Sequence, residues 1–305
     1  MCILVCINLA GDCLAVQPRS RLPLQSKSIT IGQPAPVGKE LQGYDKDGQP
    51  IYWDPRPRVV ALGGGRYAFK WFGRSGRELS LVYERPDAVD VVVEAFVDTG
   101  ERGDVSYRYS VHALKTSPLP VTGFVVQTFS QKTTPKTNSA RFAGKMAAFT
   151  KEFAQGEWIA FGPLGGRTAV TPGEHADFAF SSPDLPGVVA CRAHGGSLII
   201  AGVGEEPPTV LENLYLGHDA WPQGYTIGPD ERLAKMSLKE RQNYLIERLP
   251  KMLELGWIEN QAVMQWYKQS LEAGKTSEVR TRAKADLDRN LITSEVVALI
   301  TYLLR

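Results

Sequence analysis

Asp104 to Ala113, DVSYRYSVHA, alternates without a break: Val105, Tyr107, Tyr109 and Val111 fall on one face, and Ser106, Arg108, Ser110 and His112 on the other. A period of two is that of a half-buried β-strand, whose successive side chains point to opposite faces. The same pattern recurs on both sides of this segment. Toward the N-terminus, Ala88 to Val97 is β-branched and aromatic and reads as a core strand. Arg66 to Phe72 and Glu78 to Tyr83 read as a hairpin turning at Gly73-Arg74-Ser75-Gly76, with Tyr67, Phe69 and Trp71 on one face. Tyr44 to Tyr52 is a further hairpin with Asp45-Lys46-Asp47-Gly48 at its tip. Asp-x-Asp-Gly also opens a calcium loop, but the later ligands and the closing Glu are missing, so the tip is read as turn chemistry.

Toward the C-terminus, Val121 to Phe129 and Trp158 to Phe161 are strands, Val170 to Glu174 is a turn, and Ala176, Phe178 and Phe180 alternate. Val188 to Ala193 is expected to pair with Leu198 to Val203 across His194-Gly195-Gly196. Many short runs with frequent turn signals predict an antiparallel, immunoglobulin-like β-sandwich over about 43–228, as one unit or two. Phe142, Met146, Phe149 and Phe153 interrupt this pattern with helical spacing, and read as a short helix or ordered loop covering an open end of the sandwich.

At Gly228-Pro229 the β pattern gives way to capped helices. Ser237-Leu238-Lys239-Glu240 is a capping box, in which hydroxyl and carboxylate each satisfy a free backbone N–H. Leu245, Leu249 and Leu253 form the inward stripe of that helix, and Pro250 is expected to kink or restart it. Two octapeptides then match: Gly256 to Val263 aligns with Asn290 to Val297. Gly and Asn are the residue types that most readily adopt a left-handed helix C-cap. Ile258 with Val263, and Ile292 with Val297, have the spacing of a hydrophobic staple. With Gly274 ending a helix and Thr276 or Ser277 starting the next, the expectation for 229–305 is an all-α four-helix module of two hairpins.

This tail resembles the FIMAH module, a small helical unit at the ends of bacterial secreted and surface proteins. The resemblance rests on Leu255-Gly256-Trp257-Ile258-Glu259-Asn260, Ser270 to Gly274, and Asn290-Leu291-Ile292-Thr293 with Val296 to Leu304. Tyr225 to Pro229 is similar to the joint that precedes such tails. The resemblance covers about a quarter of the chain, and it implies an exported setting but no activity and no site residues.

The chain has 305 residues, 43% hydrophobic, with a net charge of +2, enough for a sizeable core. Before Gly228, 22 Lys/Arg balance 22 Asp/Glu, and after it 13 face 11, so neither part has the basic excess of a nucleic-acid or anionic-membrane binder. Residues 1–16, MCILVCINLAGDCLAV, are mostly apolar and too short to span a bilayer as a helix. They resemble the core of a signal peptide with Ala10, Gly11 and Ala15 near a cleavage point, although the positive n-region is missing. The competing reading is a buried first strand broken by Asn8 and Asp12, and a lipoprotein box ending at Cys13 is one residue out of register. Residues 17–42 are Pro-rich and polar and read as a linker or extended entry segment. Three cysteines fall in the first 13 residues, which leaves Cys191 as a small buried apolar residue.

His112, His175, His194 and His218 lack metal-ligand spacing, no G-x-S-x-G elbow occurs, and the glycine clusters at 63–65 and 162–166 do not open helices, so no metal or cofactor is expected. Asp87, Asp90 and Glu94 are the carboxylates that a glycoside hydrolase could use, and read more simply as hairpin-flank and edge charges. Tyr44, Tyr52, Trp53, Trp71, Trp158, Trp221 and Tyr225 lie on or beside β runs. Buried, they are core; exposed, they are platforms for sugar faces or interfaces. The exposed pairs are expected at Tyr52-Trp53 and Trp221-Tyr225. The functional expectation is therefore an exported, non-catalytic binding or structural module, with carbohydrate or another cell-surface protein as partner. The competing class is a secreted polysaccharide hydrolase.

Overall fold

The computed structural model describes residues 21–26, 31–34, 38–100, 104–130, 132–135, 157–161, 169–196, 198–199, 204–215 and 221–305. The leader at 1–16, the stripe Phe142 to Phe153 and His218 lie outside the described residues.

The first named strands among the described residues are a hairpin of β1 (Glu40–Tyr44) and β2 (Pro50–Trp53), followed by the meander β3 (Arg58–Gly63), β4 (Arg66–Phe72) and β5 (Glu78–Glu84). At the hairpin tip the Asp45 carboxylate accepts the backbone N–H groups of Asp47 and Gln49, each at 2.8 Å, which is an Asx turn. Phe69, Trp71, Leu81 and Tyr83 are the buried aromatic and aliphatic centre of this first unit.

Two larger sheets follow. One has the order β6 (Val91–Thr99), β7 (Val105–Ala113), β11 (His175–Ser182), β9 (Thr134–Pro135). The other has the order β10 (Glu157–Phe161), β8 (Val121–Thr128), β12 (Leu185–Gly195), β14 (Gln223–Asp230). Every pairing in them is antiparallel. The alternating stretch DVSYRYSVHA supplies β7, and Val105, Tyr107, Tyr109 and Val111 are all buried between the sheets. Across the gap Tyr109 packs on Phe124, and Phe124 on Phe178. Burying a phenol is costly unless its O–H finds an acceptor; Tyr109 donates to the Ile227 carbonyl and Tyr107 to that of Asp184, both at 2.7 Å.

The expected pairing of Val188–Ala193 with Leu198–Val203 is not formed. Both edges of β12 are already occupied, by β8 and by β14, so no edge is left for a hairpin return. Instead β13 (Leu198–Ile199) pairs with β5, and α1 (Thr209–Tyr215) buries Leu211 in the first unit's core. The segment between β12 and β14 thus completes the N-terminal sheet.

Gly228-Pro229 lies inside β14, and the strand's last residue, Asp230, caps α2 (Glu231–Ala234) through its carboxylate. Next come α3 (Leu238–Glu254), α4 (Gln261–Glu272), α5 (Thr276–Asp288) and α6 (Ser294–Leu303). Ser237 and Glu240 form the capping box reciprocally. Pro250 neither ends nor restarts α3, which continues through it for another turn. Gly256 (φ 71°) and Asn290 (φ 56°) both take the left-handed conformation. Each closes a Schellman motif, with Trp257 N–H on the Met252 carbonyl and Leu291 N–H on that of Asp286. The matched octapeptides meet, because Ile258 and Ile292 bridge as an antiparallel pair. The staple register differs between the copies: Thr293 is the N-cap of α6, but Asn260, one place later in the alignment, caps α4 through its side chain.

Helices and sandwich share one core, in which Tyr109 and Val189 belong to the same buried cluster as Leu249, Ile258 and Leu299. α6 covers β6, the edge strand of its sheet. An uncovered edge offers unpaired N–H and C=O groups to other chains; here Ser294 Oγ donates to the Ala95 carbonyl at 3.0 Å and the Glu295 carboxylate accepts the Ala95 N–H at 2.8 Å. Arg21, in the segment read as linker, ion-pairs with both Glu295 and Glu94. Beyond it Leu24 N–H bonds Val91, and Gln25 bridges to Gln223, so residues 21–26 strap β6 to β14.

Candidate functional site

Exposed apolar side chains concentrate on the first hairpin and the strand after it: Leu41, Tyr44, Ile51, Tyr52, Val60 and Leu62. The hairpin register explains the arrangement. Leu41 faces Tyr52 and Tyr44 faces Pro50, and Gln42 is the extra residue of a β-bulge between them. Directly paired residues share a face, as do residues two apart in one strand. Leu41, Tyr44, Pro50 and Tyr52 therefore form one stripe. Its three largest members are 51%, 66% and 57% exposed for Leu41, Tyr44 and Tyr52. Tyr44 and Tyr52 are diagonal neighbours, a spacing of about 7–8 Å.

Trp53 goes to the opposite face. Its Nε1 donates to the Phe72 carbonyl at 2.7 Å, its ring packs against the first unit's core, and the Arg74 guanidinium lies over it. Trp53 is the anchor of the hairpin, and Tyr52 belongs to the exposed stripe.

The second expected pair lies elsewhere, at the start of β14. Trp221 is half-buried and stacks on His194, ring centres 4.1 Å apart. His194 packs over Gly123, where any Cβ would come within 2.2 Å of its Nε2. Burial pushes the His194 imidazole down to about 4, because a protonated ring there would lose its hydration. Tyr225 is 44% exposed, with Lys251 Nζ over its ring at 4.7 Å. The four aromatic residues thus divide among an exposed stripe, a hairpin anchor, a histidine stack and a separate cleft.

Two of the three candidate carboxylates are tied to arginines, and the bonds of the third, Asp90, run through its backbone, from its N–H to Ser117 Oγ and from the Leu114 N–H to its carbonyl. Asp87 is buried and chelated by Arg85, and Glu94 bonds Arg21 at 3.2 Å. Glu94 is held below the usual carboxylate range, first by the His112 imidazole 3.8 Å away and then by Arg21. His112 and His175 are cross-strand partners with stacked rings, yet among the described residues no group of three or more His, Cys, Asp or Glu is placed to hold a metal. Cys191 is fully buried, and burial pushes its thiol far above the ordinary range, as for an inert core cysteine. No described helix is long and apolar enough to cross a membrane.

The bulge is what sequence reading missed. Strict alternation places Leu41 and Tyr44, three apart, on opposite faces; the inserted Gln42 brings them together. No protein-family model, curated protein or solved structure matches this chain.

Proposed function

We infer that this chain is an exported, non-catalytic binding module that holds polysaccharide on the first hairpin. The observation that carries this reading is the exposed stripe Leu41, Tyr44, Pro50 and Tyr52 on a hairpin pinned by Trp53. The electron-rich faces of tyrosine rings attract the C–H groups on the flat side of a sugar ring. Two such rings at diagonal positions on one face suit successive residues of a sugar chain. The arginine-bound Asp87 and Glu94 support the non-catalytic part of the reading.

The sandwich is read as immunoglobulin-like. Its support is a pair of four-stranded antiparallel sheets, β6-β7-β11-β9 and β10-β8-β12-β14, between which the chain passes at every step from β7 to β12. The longer helices α3 to α6 are read as the FIMAH-like four-helix module, supported by the paired caps at Gly256 and Asn290. That resemblance and the apolar leader support export to the periplasm, cell surface or medium. Binding of the full chain to a panel of soluble polysaccharides, with and without Tyr44→Ala and Tyr52→Ala, tests the reading.

A further inference from the structure

A second site is built where three parts of the chain converge. The strap at 21–26, the first residues of β14 and the C-terminal end of α3 enclose a cleft of about 190 Å³. It is lined in part by Arg21, Leu24, Gln25, Gln223, Tyr225 and Glu254. We propose that this cleft binds one uncharged sugar ring, stacked on the face of Tyr225 that Lys251 does not cover.

The charge balance of the walls defines the ligand. Arg21 and Glu254 are the two charged residues lining the cleft. Arg21 is already bound to Glu94 and Glu295, and Glu254 to Lys251 at 2.6 Å. Arg21 is nearly buried between two carboxylates, so an anion would have to break that pair and would meet Glu254 as a like charge, whereas the Lys251–Glu254 pair is solvent-exposed. The remaining polar lining includes the amides of Gln25 and Gln223; Gln25 Nε2 spends one N–H on the Pro23 carbonyl at 3.1 Å and keeps a second. Paired donors and acceptors beside an aromatic face suit adjacent hydroxyls on a ring whose other side is C–H. A cavity of about 150 Å³ holds one benzene ring, so a cleft of about 190 Å³ is the size for a single six-membered ring.

The cleft is independent of the hairpin stripe, since they share no residue. The two sites therefore succeed or fail separately. The test uses the full chain and saturation-transfer NMR with the methyl glycosides of glucose, galactose and N-acetylglucosamine, together with glucuronate as a charged probe. The expected result is transfer to at least one neutral glycoside, with glucuronate weaker. Tyr225→Ala should weaken binding roughly tenfold or more, and Tyr225→Phe, which keeps the ring, should retain most of it. Tyr52→Ala should leave this binding unchanged. Absence of transfer to all three neutral glycosides overturns the proposal, as does tighter binding of glucuronate. Equal binding by Tyr225→Ala, with its fold verified by circular dichroism, overturns it too. Loss of binding in Tyr52→Ala with Tyr225→Ala unaffected would assign the signal to the hairpin and overturn the cleft.

Discussion

The carboxylate of Glu295 accepts the backbone N–H of Ala95 at 2.8 Å, from a position 200 residues further along the chain. This contact, with Ser294 on the Ala95 carbonyl and Arg21 on the carboxylate, makes the helical tail the cover of the sandwich edge. Glu295 is almost fully buried, so its partners cannot be replaced by water. Glu295→Ala should destabilise the chain by roughly 3–5 kcal/mol, the cost of breaking one side of a buried ion pair. Urea denaturation measures it, and a double-mutant cycle with Arg21→Ala should show strong coupling. Additive effects would mean that the strap and the helix act separately.

Much of this fold is legible from sequence, for identifiable reasons. DVSYRYSVHA announces β7 because the burial of alternate side chains is written directly as alternating polarity. Gly256 and Asn290 announce helix ends because few residue types tolerate a positive φ. What stayed hidden depends on non-local pairing. Leu198 reads as the return of a hairpin, but β12 has no free edge and the segment joins β5 instead. Glu295 reads as an ordinary first-turn carboxylate of a helix, and nothing local marks it as the partner of Ala95. The hairpin stripe gains Leu41 through one bulged residue, since strict alternation puts Leu41 on the face opposite Tyr44 and Tyr52.

His194 should make stability depend on acid. Its folded-state value of about 4 lies below the roughly 6.5 of an unfolded histidine, so the unfolded chain takes up the proton first. In its neutral form the half-buried ring carries no penalty above about pH 6.5. Stability then falls as pH drops from there to about 4, by about 3 kcal/mol in total. Denaturation at pH 7.5 and at pH 4.5 should show a smaller acid loss in His194→Gln than in the parent. Equal losses would remove His194 from the account.

The two matched caps should respond oppositely to substitution. Gly256 holds φ 71° at no steric cost, whereas Asn290 holds φ 56° with a Cβ. Gly256→Ala should cost about 1–2 kcal/mol, and Asn290→Gly should be neutral or slightly stabilising. Thermal denaturation of both variants checks this. A neutral Gly256→Ala would mean that the end of α3 does not depend on the left-handed cap.

The proposed role of the hairpin stripe is tested most directly by affinity electrophoresis through gels containing single soluble polysaccharides, comparing the parent chain with Tyr44→Ala/Tyr52→Ala. Both tyrosines are exposed, so the double variant should fold with stability within roughly 1 kcal/mol of the parent. The expected result is retardation of the parent in at least one gel and its loss in the double variant. A parent that migrates freely through every polysaccharide, or a double variant retarded as strongly as the parent, would contradict the proposed function.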